Sequence, residues 1–218
     1  MSEPSALIAC EYSGEVREAF RRRSIDAYSC DLLPADDGSP NHYQCDVLTI
    51  LDRGWDLMVA HPDCTYLCGS GLHWNKRTPG RAEKTDEALA FVRTLLDAPI
   101  PRIALENPVG CISTSIRPAS QYIQPYDFGH DASKKTGLWL KNLPPLKPTK
   151  RVPGRVVGTD KRGKPIERWG NQTDSGQNRL GPSEDRWKER SRTYRGWAEA
   201  MAAQWAPLLW NGYGGLLE

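Results

Sequence analysis

No apolar run in this chain approaches the roughly 20 residues that a membrane-spanning helix needs. The first such run, residues 6–9, is too short even for the apolar region of a secretion signal, and the Met1-Ser2-Glu3-Pro4-Ser5 ahead of it carries no basic residue. No membrane partner is therefore expected, and a reducing cytoplasm with free thiols is the expected setting. Disulfides are not needed either: at 218 residues and 24.4 kDa a single domain can bury about 70% of its unfolded surface, which leaves the six cysteines available for chemistry. Net charge is also slight, at +2, but it is unevenly spread. Residues 133–195 hold 17 Lys and Arg against six Asp and Glu (17 − 6 = +11), so the remainder is acidic. A basic segment beside an acidic body is either the footprint of a polyanion-binding face or a plain solvated surface.

What is present is a series of short apolar segments that each stop at a chemically capable residue. Residues 57–60, Leu-Met-Val-Ala, are continuously apolar, as suits a strand covered on both faces, and they empty into His61-Pro62-Asp63-Cys64. Open parallel sheets place their chemistry at such carboxyl ends, and a cysteine in a loop near backbone amides is a candidate nucleophile, although most free cysteines simply pack. Residues 6–10 read as a first strand, followed by a turn at Gly14 and a helix from Glu15 to about Arg23. Its Val16, Ala19 and Phe20 face the sheet, which should leave Arg17, Arg21 and Arg22 in water. A second strand, residues 27–30, ends at Asp31, a candidate acceptor for ribose hydroxyls; a third, residues 44–48, carries Asp46, which could equally cap a helix. Residues 69–81 are glycine-rich and polar and read as a mobile loop over a site, ahead of an amphipathic helix from an N-cap at Thr85 to Leu96. A fifth strand, residues 102–105, ends in Glu106-Asn107-Pro108, and a glutamate in so apolar a setting is rare unless paired. Residues 137–140 form a further strand.

Taken together, Ala9-Cys10-Glu11-Tyr12-Ser13-Gly14, the strand-end acids, His61-Pro62-Asp63-Cys64 and Glu106-Asn107-Pro108 resemble the DNA cytosine-5 methyltransferases, in the order that family uses and over about residues 6–145. The short phage-type members are the most similar. The resemblance implies an α/β, Rossmann-like S-adenosylmethionine-dependent methyltransferase fold, a mostly parallel sheet with helices on both faces. It implies an S-adenosylmethionine site drawn from Cys10, Glu11, Tyr12, Ser13, Gly14, Asp31, Leu32, Asp46, Val47 and His61. It makes Cys64 the nucleophile that adds to C6 of a flipped-out cytosine and Glu106 the acid at N3, with Pro62, Asn107, Pro108, Lys134 and Lys135 near the base. Here Asp63 stands between the proline and the cysteine, and an adjacent carboxylate tends to raise a thiol pKa.

On this reading residues 1–145 are the catalytic core, residues 146–182 a basic loop or reduced recognition insert, and residues 183–218 a C-terminal helix, starting near Ser183-Glu184-Asp185-Arg186, that packs back on the core and touches the cofactor. Roughly forty residues cannot build a separate core, so no full target-recognition domain is expected. Lys161, Arg162, Lys164 and Arg168 should follow phosphates, with Trp169 available to stack on a base. Trp197, Met201 and Trp205 recur at helical spacing and read as core. The partner is DNA, single- or double-stranded, or a cytosine nucleotide; the oligomeric state is open, a homodimer among the options. Three rivals stand beside methyl transfer. They are hydroxymethylation from a folate, a non-catalytic nucleic-acid binder, and a zinc or iron–sulfur site drawn from His61, Cys64, Cys68, His73 and Cys111, for which the spacing is poor.

Overall fold

The computed structural model describes residues 3–181 and 193–211. Its centre is a seven-stranded sheet in the order β3-β2-β1-β4-β5-β7-β6. The strands are β1 (Ser5–Ala9), β2 (Asp26–Asp31), β3 (His42–Gln44), β4 (Leu57–Ala60), β5 (Arg102–Pro108), β6 (Gln121–Ile123) and β7 (Thr136–Lys141). The first five are mutually parallel, while β7 runs antiparallel to β5 and β6 antiparallel to β7. This is a Rossmann-like α/β fold, with β1 between β2 and β4. Strand order reverses there, which is where such sheets open a crevice.

Alternation along the central strands explains why their apolar runs are unbroken. Ala6 and Ile8 of β1 and Leu57 and Val59 of β4 pack into one core with α1 (Glu15–Arg21), whereas Leu7, Ala9, Met58 and Ala60 pack into the other with Leu89, Val92 and Leu95. Those three leucine and valine residues lie on α3 (Arg81–Leu96), which follows two short turns, α2 (Gly69–Leu72) and a 3-10 turn (His73–Lys76). After β5 comes α4 (Ile112–Ser115). Beyond the sheet lie an antiparallel hairpin, β8 (Arg155–Thr159) with β9 (Pro165–Arg168), and α5 (Arg195–Asn211), which packs on α1. Trp197, Met201 and Trp205 of α5 are fully buried against Ile8, Phe20 and Val59, as their spacing requires.

Several local readings need correction. Helix α3 begins at Arg81, because Gly80 is its N-cap; the Thr85 hydroxyl sits inside the helix and bonds the Arg81 and Tyr66 carbonyls. Residues 69–76 are mostly helical turns rather than open loop. β3 lies earlier than residues 44–48, and Asp46 caps a 3-10 turn by accepting from the Leu48 amide. β5 continues through Glu106 and Asn107 to Pro108. The basic insert holds the β8–β9 hairpin, and its Trp169 is buried, stacked on Tyr126 at 3.8 Å, so it does not stack on a base here. Arg17 does not face water: its guanidinium is buried and bonds Asp37, Ser29 (2.7 Å) and Glu18 (2.9 Å). Gly14, at φ 73°, starts α1, and a β-carbon there would collide with that same guanidinium. The helix start near Ser183 falls outside the described residues.

Trp205 adds a specific anchor to its buried area, because its ring Nε1 donates to the Pro144 carbonyl at 3.0 Å, tying α5 to the segment after β7. Trp205→Ala should lower stability by about 3–5 kcal/mol, as emptying a buried tryptophan site does. Denaturant unfolding of the two proteins measures it; a change under about 1 kcal/mol would mean α5 is not part of the cooperative core.

Candidate active site

A cavity of about 870 Å³ opens at the carboxyl ends of β1, β2 and β4, the crevice that the reversal of strand order creates. Cys10, Tyr12, Asp31, Leu32, Asp46, Val47 and His61 line it, which is seven of the ten residues expected to hold a cofactor. Glu11, Ser13 and Gly14 do not. Glu11 is buried and turned the other way, accepting from the amides of Val16 (2.8 Å) and Arg17 (3.2 Å) at the start of α1; burial pushes its carboxyl above the ordinary value despite those bonds and nearby His61. Ser13 and Gly14 line a smaller neighbouring pocket with Asp37 and Arg195.

The charge pattern of the cavity is one-sided. Asp31, Asp46 and Asp63 line it, and no Lys or Arg is among the described lining residues. Burial first, and these three carboxylates after it, push the Cys10 thiol up to about 12, so it stays neutral. Such a wall disfavours a phosphate-bearing cofactor and suits one that carries positive charge.

Cys64 lies in the loop after β4, and Glu106 lies near the end of the neighbouring β5. β4 and β5 pair in parallel with Ala60 opposite Leu105, so the residues that follow leave the sheet side by side. The two loops are then stitched to each other. The Asn107 side chain donates to the Pro62 carbonyl at 2.8 Å, the Gly69 amide to Val109 at 2.9 Å, and the Cys111 amide to Leu67 at 2.9 Å, around a bridge between Cys68 and Gly110. Lys134, two residues before β7, lies within electrostatic reach of both the Cys64 thiol and the Glu106 carboxylate. Lys135 instead sits over the Tyr122 ring at 4.6 Å. Pro108 ends β5 opposite Thr136.

Glu106 is 6% exposed and reaches the cavity through His61, whose Nδ1 donates to Glu106 Oε2 at 2.9 Å. Burial alone would raise the Glu106 carboxyl, but the His61 hydrogen bond and Lys134 hold it below its usual range. It therefore rests as a carboxylate. His61 Nε2 and Asn107 Oδ1 are buried without a protein partner, two polar atoms left open for a ligand.

Two residues that the sequence reading did not place in this chemistry belong to the site. The neighbouring Cys68, burial and Asp63 push the Cys64 thiol up. Cys64, Ser70 Oγ at 3.1 Å and the amides of Ser70 and Gly71 lower Cys68 to about 5 against the opposing effect of burial. Tyr194, just before α5, feels the Glu106 charge, which with burial raises its phenol. The Cys64-x3-Cys68 spacing was the available signal for the first; nothing in the sequence near Tyr194 pointed to the second.

The basic positions divide. Lys161, Arg162 and Lys164 are exposed at the tip of the β8–β9 hairpin, where Asp160 holds the turn by accepting from the Arg162 and Lys164 amides at 2.8 and 2.9 Å. Arg168 is half-buried, and its guanidinium donates to the carbonyls of Asp174 and Glu167.

No family model matches the sequence, and no curated protein does. Among solved structures, a DNA modification methyltransferase encoded within a prophage of E. coli is similar at 13% identity and a TM-score of 0.44, over 63% of this chain and 46% of that one. A methyltransferase of Entamoeba histolytica is similar at 17% identity and a TM-score of 0.48, over 70% of this chain and 59% of that one. The chain thus spans about half the length of these neighbours.

Gly110 tests the stitching of the two loops, because a β-carbon there would land on the Leu67 carbonyl oxygen and the Cys68 backbone. Gly110→Ala should cost about 1–3 kcal/mol, the usual price of overpacking. A melting temperature equal to that of the parent would show that the bridge is not as close as described.

Proposed function

We propose that the protein is an S-adenosylmethionine-dependent DNA cytosine-5 methyltransferase, with Cys64 as nucleophile and Glu106 as the acid at N3. The observation that carries this reading is a cysteine and a histidine-held carboxylate at the carboxyl ends of adjacent parallel strands, both within electrostatic reach of Lys134, beside a cavity walled by carboxylates. C5 of cytosine is a poor nucleophile until a thiolate adds to C6 and pushes electron density toward C5 and N3. Cys64 makes that bond, and the His61–Glu106 pair takes up one proton that Glu106 presents at N3. Lys134 stabilises the negative charge that passes between them. After C5 is alkylated, loss of its proton and departure of the Cys64 thiolate restore the ring.

The donor fits the site on charge. S-adenosylmethionine supplies an electrophilic methyl carbon on a cationic sulfur, and Asp31, Asp46 and Asp63 give the cavity the complementary sign, with no basic residue among the described lining residues to attract a phosphate. Asp31, at the end of β2, is placed to accept from ribose hydroxyls, and Tyr12, Leu32 and Val47 supply the apolar wall for an adenine. Lys161, Arg162 and Lys164, exposed on a turn outside the cavity, suit contacts with a DNA backbone. The target base must leave the duplex to reach Cys64.

Mass spectrometry of nucleosides from DNA of cells expressing the protein should show 5-methylcytosine, and Cys64→Ser should abolish it while leaving the fold intact. Glu106→Gln should slow the reaction by roughly 10²-fold, the scale of a lost general acid. Full activity in either variant would remove that residue from the chemistry. In calorimetry with S-adenosylhomocysteine, Asp31→Ala should weaken binding by about tenfold, the value of one good hydrogen bond to a charged group; unchanged affinity would place the donor elsewhere.

A further inference from the structure

We infer that the protein takes single-stranded DNA as its partner, and that an aromatic and basic face beside the Cys64 loop, centred on Trp74, holds it by stacking on an unpaired base. The inference rests on the reading of Cys64 as a nucleophile acting on DNA and names the form of that DNA. The face comes from the stretch between the reactive loop and the body of α3, to which that reading gives no role. Trp74 stands in the 3-10 turn His73–Lys76 and keeps 47% of its surface in water, whereas Trp139, Trp197 and Trp205 are fully buried. Beside its ring lie the His73 ring, at 4.9 Å between centroids, and the Arg77 guanidinium, at 5.7 Å from the Trp74 centroid. A second ring, that of Tyr66, carries Arg81 at 4.8 Å and Lys84 at 5.6 Å. Residues 73–84 hold four Lys and Arg against one Glu (4 − 1 = +3), although the chain outside residues 133–195 is acidic as a whole.

Hydrogen bonds fasten this face to the reactive loop. The Arg81 guanidinium donates to the carbonyl of Thr65, the residue after Cys64, at 2.9 Å. The Thr85 hydroxyl donates to the Tyr66 carbonyl at 3.1 Å while accepting from the Asn75 side chain at 2.9 Å. A strand held on the face therefore lies alongside the loop that carries Cys64. An indole ring left in water forgoes the burial that would stabilise the fold, but with cations beside it the ring makes a stacking platform that also attracts phosphates. Two features select a single strand over a duplex. Within a duplex every base is stacked between its neighbours, so the exposed ring finds no base face to cover, whereas an unpaired base offers one. The target base must also leave its stack to reach Cys64, and that costs least where no complementary strand holds it. Phosphate contacts from the hairpin tip serve either form, because they do not depend on the bases.

Fluorescence anisotropy with a labelled DNA strand of about 16 nucleotides, alone and annealed to its complement, tests this without methyl donor at about 0.1 M salt. The parent protein should bind the single strand at least about tenfold more tightly than the duplex. Trp74→Ala should weaken single-strand binding by about tenfold, the scale of one lost base stack, and leave duplex binding unchanged; Trp74→Phe, which keeps a ring, should lose about threefold or less. Circular dichroism of each variant checks that the fold is kept. A strand of the same length without bases separates stacking from charge, and Trp74→Ala should bind it as the parent does. Cys64→Ser, which ends methylation under the proposed function, should bind the single strand as the parent does, so failure of the chemistry and failure of this face read out separately. Equal or tighter binding of the duplex by the parent, unchanged single-strand binding by Trp74→Ala, or an equal loss on the base-free strand would overturn the inference.

Discussion

Backbone pairing ties the loop after β4, which carries Cys64, to the loop after β5, the strand that carries Glu106. The parallel register of the strands brings both loops to the same edge, but register alone would leave two independent loops there. The Asn107 side chain on Pro62 and the exchanged amides of Gly69 and Cys111 convert them into one unit. Each such bond is worth only about 1 kcal/mol net, yet leaving a buried partner unpaired costs more, so the set resists piecemeal opening. Under the proposed function the groups assigned to the chemistry are thus positioned before a ligand binds, which is where enzymes gain much of their advantage over solution. Gly110 is the residue that permits the approach, since any side chain there would meet backbone.

Much of this was legible in the sequence because the central strands are short, apolar on both faces and punctuated by polar residues. The run from Leu57 to Ala60 could belong only to an element covered on both sides, and the histidine, proline and cysteine after it mark where cover ends. The tryptophans of α5 announced a buried stripe by their spacing alone. What escaped was decided by tertiary contact. Arg17 sits on the polar side of its helix by periodicity, yet Asp37 and Ser29 arrive from elsewhere in the chain to receive its guanidinium. The hairpin strand Pro165–Arg168 opens with proline and carries charge, so no strand propensity shows; it is held by Glu167 bonding Arg151 and the Gly154 amide. The first turn of α3, Arg-Ala-Glu-Lys, contains nothing apolar enough to extend the helical pattern back from Leu89.

Cys68 illustrates a different kind of miss. Its spacing from Cys64 was visible and was weighed only as a metal-ligand pattern, for which it is poor. In the fold, that i, i+4 spacing closes a turn, with the Cys68 amide on the Cys64 carbonyl at 3.0 Å, and brings both cysteines to the lining of one cavity. Two neighbouring thiols influence each other's charge, which no inspection of either residue alone reveals.

Charge of the two signs is sorted by depth. The cavity wall carries aspartates, which suit a small cationic donor, while the exposed hairpin tip carries lysine and arginine, which suit a polyanion. Mixing them would be costly on both counts: a basic cavity would collect phosphates, and an acidic exterior would repel nucleic acid over a Debye length of about 8–10 Å at ordinary salt. Lys134 is the one cation that the described residues show acting on both Cys64 and Glu106. It lies just before β7 and is not among the residues that line the cavity. A near-zero net charge therefore conceals a functional arrangement, in which what matters is the distance between opposite signs rather than their sum.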